Sequence, residues 1–260
     1  MARRLALGFV LAAGLLAGCS GAPPLLPAAD AQAQLGQTTA DTPASFNPFS
    51  DRTETAVKGR DVIANPSLDE VLKTVTDLPE MSLGRADAPV TIVQYASMTC
   101  PHCRRFHAET FPTFKKEYID TGKVRYILRA EFPIGKQSGM ATIALRCAPP
   151  QKYFQLYERL MAQQASWVSQ EVRPDPIFEV AKGVGLTRAQ FDACRQDEAL
   201  LKKLGAIKDR GRTLGVIGTP NFFVQGKLVK SVLDMKTIRE MVDPIVDGRV
   251  ANNQGGTVPR

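Results

Sequence analysis

The sequence predicts an α/β fold interrupted by a helical insertion, and three observations lead there. First, the apolar, β-rich run Val90-Thr91-Ile92-Val93-Gln94-Tyr95-Ala96 leads into a helix-forming stretch. Residues 123–129 then alternate as a strand does, so the two strands of this strand–helix–strand unit can lie parallel. Second, residues 139–147, 151–164, 176–182, 188–194 and 199–214 carry helical spacing or helix-forming composition. Third, residues 221–224 and 227–230 form a strand pair around the turn dipeptide Gln225-Gly226, followed by a closing helix over 234–246. The chain has 260 residues, 44% of them hydrophobic, enough for one large domain or two small ones.

At the start of the chain, Arg3 and Arg4 precede an apolar stretch, residues 5–16, too short for a membrane span and shaped like an export signal covering 1–18. It ends in Leu16-Ala17-Gly18-Cys19, which resembles the bacterial lipobox. The resemblance implies that Cys19 is the lipidated N-terminus of the mature chain, and Ser20 after it favours the outer over the inner membrane. An ordinary signal cleaved near Ala28-Ala29-Asp30 is the other reading of these residues. Residues 19–62, rich in Ala, Pro, Gln, Thr and Ser, read as a flexible tether. Across 63–80, Ser67 can cap a short helix whose Leu68, Val71, Leu72 and Val75 share one face, which can pack on the domain or join copies of the chain. The globular part begins near Met81. Residues 81–132 form its first part, 133–214 the helical insertion, where Trp167 packs between helices, and 215–247 its second part; 248–260 read as a disordered tail.

The chemistry is carried by Cys100-Pro101-His102-Cys103, at a strand-to-helix junction. Two thiols two residues apart can make and break a disulfide reversibly. The first cysteine of such a helix lies near unpaired backbone N–H groups and the positive end of the helix dipole, both of which favour thiolate. Pro101 fits the first helical position, where its missing N–H has no partner to lose. Cys100 is then the exposed, early-ionising sulfur, His102 can aim an N–H or imidazolium at it, and Cys103, deeper in the helix, resolves mixed disulfides.

Other uses of these residues are chemically possible. A zinc site needs four ligands, and the chain has no second CxxC; Cys100, Cys103 and His107 could make a partial cluster, since His102 and His107 are the only histidines. A purely structural Cys100–Cys103 disulfide would restrict the unfolded chain little. With Cys19 assigned to lipid and Cys100 and Cys103 to redox work, Cys147 and Cys194 remain, and an oxidising compartment predicts that they pair rather than stay as buried thiols. In the chain-entropy account that loop is worth roughly 4 kcal/mol. Without residues 1–18 the basic side chains number 31 against 26 acidic, a modest excess with no basic run interleaved by aromatics, so nucleic acid is not an expected partner.

With Gly218-Thr219-Pro220 ahead of the strand pair, residues 81–247 resemble the DsbA-like branch of the thioredoxin superfamily. The resemblance implies a thioredoxin-like fold with a helical insertion domain. It also implies a cis Pro220 facing the active-site disulfide, where Thr219, Pro220 and Pro101 meet an incoming peptide. No cofactor is expected beyond the Cys100–Cys103 disulfide, and no metal. The implied activity is thiol–disulfide exchange on exported thiol-containing proteins in the periplasm, by a lipid-anchored dithiol oxidase reoxidised by a quinone-linked membrane partner. The alternative is an isomerase or reductase kept reduced by a membrane electron donor and self-associating through the helix near Ser67. A lipid-anchored binding protein or metal chaperone using Cys100 and Cys103 as soft ligands is a third reading. The chain departs from the family pattern at Gln94 and His107, where well-studied oxidants carry carboxylates.

Overall fold

The computed structural model describes residues 62–249. The export signal, Cys19, nearly all of the tether and the tail beyond residue 249 lie outside the described residues.

Five strands form one mixed sheet in the order β1-β3-β2-β4-β5. At its centre β2 (Val90–Tyr95) runs parallel to β3 (Val124–Arg129) and antiparallel to β4 (Asn221–Val224). The edges are β1 (Ser82–Leu83), paired with β3, and β5 (Lys227–Val229), paired with β4. All six residues of β2 are buried, as a central strand covered on both faces requires. Ile92 faces a core shared with Phe106, Phe114, Tyr126 and Phe222, while Val93 and Tyr95 face Ile127, Leu214 and Phe223.

Between β2 and β3 the chain is helical from α2 (Pro101–Arg105) through α3 (Phe111–Phe114), but each is followed or preceded by a wider turn, Phe106–Thr110 and Lys115–Ile119. Pro112 explains the first. It has no N–H to give and its ring crowds the carbonyl one turn back, so the Phe111 N–H bonds instead to Phe106 O, five residues behind. The insertion comprises α4 (Lys136–Cys147), α5 (Tyr153–Ala162), α6 (Gln164–Trp167), α7 (Pro174–Ala181), α8 (Arg188–Arg195) and α9 (Glu198–Thr213). Side chains start several of these helices. Thr187 and Gln190 form a reciprocal capping box at α8, Asp197 caps α9, and Asp234 caps the closing α10 (Met235–Val246). Trp167 is 1% exposed and donates its indole N–H to Leu160 O.

Four expectations need correcting. The helix capped by Ser67, α1, spans only Leu68–Leu72, so Val75 lies outside it and is exposed. Packing begins well before Met81: Val71 is fully buried against the sheet, and the Ile63 N–H donates to Thr213 O at 2.9 Å. The stretch 151–164 is not one helix, because Gln163 leaves helical geometry between α5 and α6. Helix α4 starts earlier than residue 139, at Lys136, after Gly135 with φ of 80°. Gly211 in α9 allows a close helix-to-sheet approach. A Cβ there would stand 2.7 Å from Tyr95 Cε1 and 3.0 Å from Phe132 Cδ2.

Candidate active site

Register brings the site together. Tyr95 at the end of β2 pairs with Arg129 at the end of β3 and with Asn221 at the start of β4. The segment leaving β2 toward Cys100, the one leaving β3 toward Glu131 and the one entering β4 through Thr219 and Pro220 therefore converge at one end of the sheet.

The link from Ala96 to Cys100 is held by hydroxyls. Ser97 Oγ lies 2.8 Å from Ser138 Oγ of α4, Ser138 Oγ accepts the Met98 N–H at 2.9 Å, and Ser97 Oγ accepts the Ile134 N–H at 3.0 Å. From the other side Gln164 Nε2 donates to Met98 O at 2.7 Å and to Cys100 O at 3.3 Å. Neither Ser138 nor Gln164 was singled out in the sequence, and nothing in their local pattern marks them, since both are polar residues on helices of the insertion. The helical insertion thus supplies the rigid frame for the loop that carries the first cysteine.

Cys100 is the N-cap of α2, with Pro101 at the first helical position. Its sulfur accepts the Cys103 N–H at 3.4 Å, and as a thiol it donates to Thr219 O at 3.2 Å. The Thr219–Pro220 peptide bond is cis. The Cys100 thiol is brought down to about 5, first by the hydrogen bond from the Cys103 thiol, then by contacts with Thr219 and the backbone N–H groups of Cys103 and His102, working against burial. Burial and the neighbouring Cys100 push the Cys103 thiol well up. The two cysteines are therefore chemically unlike although both are thiols in this structure.

Two expectations change here. Cys100 is not an exposed sulfur: it is 7% exposed, covered by the Thr219 segment, and Cys103 is 0% exposed. His102 turns its side chain outward and makes no hydrogen bond to the sulfur; its contribution comes through its backbone N–H. Pro101 is exposed at the helix start, and Ile217, two residues ahead of Thr219, is 84% exposed.

Gln94 is fully buried and its Oε1 accepts the Tyr126 hydroxyl, while its Nε2 has no partner. His107 stacks on Phe111 and meets Tyr157 edge-on, and burial pulls it down to about 4, so it is neutral at pH 7. Farther out, Cys147 at the end of α4 and Cys194 in α8 are joined by a disulfide. Among the described residues no group of three or more His, Cys, Asp or Glu could hold a metal ion, so Cys100, Cys103 and His107 do not converge as a ligand set.

Residues 76–244 match the family model described as Thioredoxin. A putative protein-disulfide oxidoreductase of Rickettsia bellii is 34% identical over 152 residues, 58% of this chain and 58% of that protein. The chain thus spans less than two thirds of that relative. Disulfide bond formation protein D of Bacillus subtilis is 25% identical over 173 residues, 64% of this chain and 77% of that protein. Among solved structures, alpha-DsbA1 of Wolbachia pipientis superposes with a TM-score of 0.63 at 26% identity, covering 70% of this chain and 97% of that one. The chain belongs to the thioredoxin family, in its DsbA-like branch.

Proposed function

We propose that this chain is a thiol–disulfide oxidoreductase that acts as a dithiol oxidase, introducing disulfides into exported proteins. The observation that carries the reading is the unlike pair of thiols: Cys100 at about 5 and Cys103 raised and sealed. A stabilised Cys100 thiolate favours the reduced enzyme, which makes its disulfide easy to give away. A substrate thiolate attacks Cys100 Sγ of the oxidised enzyme, and Cys103 departs as thiolate and takes up a proton. A second substrate thiolate then attacks the substrate sulfur of the mixed disulfide and releases Cys100 as thiolate. Thr219 and Pro220, with Pro101 opposite, are the surface on which the substrate peptide is held.

Export to the periplasm and a lipid anchor at Cys19, supported by the N-terminal sequence, and reoxidation by a quinone-linked membrane partner, which the DsbA-like resemblance implies, complete the proposal. The isomerase or reductase alternative loses one of its supports, because the face of α1 offered for self-association buries Val71 in its own domain. The deciding measurement is the equilibrium reduction potential of Cys100 and Cys103 against glutathione. A value near about −120 mV is expected, and one near about −270 mV would overturn the oxidase assignment.

A further inference from the structure

Residues 214–220 leave α9 and enter β4 without belonging to a helix or a strand, yet they carry the Thr219 carbonyl that lies 3.2 Å from Cys100 Sγ. An irregular segment of this kind keeps one position only if its surroundings hold it there. Part of that hold comes from residues 63–71, far away in sequence and ahead of the stretch 76–244 that matches the family model.

On the approach to Thr219 the contacts are polar and apolar together. The Ile63 N–H donates to Thr213 O at 2.9 Å. Arg210 Nη2 donates to Glu70 O and to Glu70 Oε2, both at 2.6 Å, and the Arg210 carbonyl accepts the Leu214 N–H at 3.0 Å. Val71, fully buried, shares one apolar cluster with Leu214, Val216 and Phe223, and Ile63 and Leu72 pack against that cluster. Beyond Pro220 the same stretch meets the turn between β4 and β5. Gly226 in that turn has a φ of 85°, and a Cβ on it would stand 2.8 Å from Leu68 N and 3.1 Å from Pro66 O. Ser67 Oγ accepts the Glu70 N–H at 3.2 Å, which starts α1 and places Glu70 and Val71 on its single short helix. One stretch of nine residues thus touches both ends of the span from Thr213 to Gly226 in which Thr219 and Pro220 sit.

We propose that residues 63–71, chiefly Glu70 and Val71, are positioning residues for substrate binding: they hold the Thr219–Pro220 segment over Cys100 and so shape the surface on which a thiol peptide docks. They act through Arg210, Leu214 and Val216 rather than on the sulfurs. This role rests on the thiol–disulfide reading above.

The test uses the full chain and two readouts. One is KM and kcat for disulfide transfer to a thiol peptide. The other is the rate at which iodoacetamide alkylates Cys100 of the reduced chain at pH 8, read by mass mapping. Val71→Ala is expected to raise KM about threefold or more with kcat within about twofold, and to speed alkylation by a similar factor as the cover over the sulfur loosens. Glu70→Gln keeps the length of the side chain and removes its charge, and should move both readouts the same way by less. Val180→Ala takes the same atoms from a buried position on α7 and should leave both at wild-type values. Wild-type KM and alkylation in Val71→Ala overturn the proposal. An equal change in Val180→Ala overturns it too, since that marks a general loss of packing. A wild-type chain that transfers no disulfide removes the thiol–disulfide reading instead, and the docking role with it.

Discussion

Cys147 and Cys194 lie 47 residues apart and tie α4 to α8, whereas Cys100 and Cys103 stand within one helical turn, yet the pair proposed for catalysis is the less exposed of the two. The bridged cysteines are half-buried, and Cys100 and Cys103 are buried. Exposure therefore does not sort reactive from structural cysteines in this chain. The polar surroundings do: the Cys100 sulfur meets the Cys103 N–H and the Thr219 carbonyl. Around the other pair sit apolar residues of the insertion, among them Ile143 and Leu204.

The comparison breaks most visibly at Cys100. Cys100→Ser is expected to lower disulfide transfer to a thiol peptide roughly a thousandfold or more, because a hydroxyl cannot form the mixed disulfide. Replacing Cys147 and Cys194 together by Ala should act on stability instead, costing about 4 kcal/mol in urea unfolding with transfer nearly unchanged. Transfer lost in that double variant would mean the two pairs are coupled. Gln164→Leu sharpens the contrast from the scaffold side. It leaves Met98 O and Cys100 O without their donor, at about 2 kcal/mol, and slows transfer because it loosens the loop under the sulfur.

A further effect is one of pH. In the folded reduced chain Cys100 is a thiolate above about 5, against an ordinary value of 9.0, so between these values the unfolded chain binds more protons. Stability of the reduced form should accordingly rise with pH across that window and be lost as pH falls through about 5. The oxidised form keeps the rise below about 6.5 that buried His107 brings to both forms but should lack the Cys100 part, as paired chemical denaturation curves will register.

Much of the site could be read directly from the chain because its parts are local. A strand, a CxxC and a proline at the first helical position announce themselves within a dozen residues. The expected starts at residues 188 and 234 lie within one residue of the starts of α8 and α10 found here. What the sequence concealed is what depends on register. Only the pairing of Tyr95 with Asn221 brings Thr219 O onto the sulfur and covers a cysteine that local pattern would leave open. Ser138 and Gln164 reach the site across 41 and 66 residues of chain, through their bonds to Ser97 and Met98. Strand β1, two residues long, is too short to show alternation at all.

Gly211 carries the reach of the site beyond its chemistry. Its carbonyl accepts the Val216 N–H at 3.0 Å, and Val216 starts the short run to Thr219. Helix α9 rests on the Tyr95 ring through the space a methyl group would fill. A single added carbon there would lift the helix end, tilt the run that hangs from it and move the carbonyl over Cys100. A tolerance map drawn by distance from the sulfur would overlook this position, where the atom that matters is one the protein leaves out.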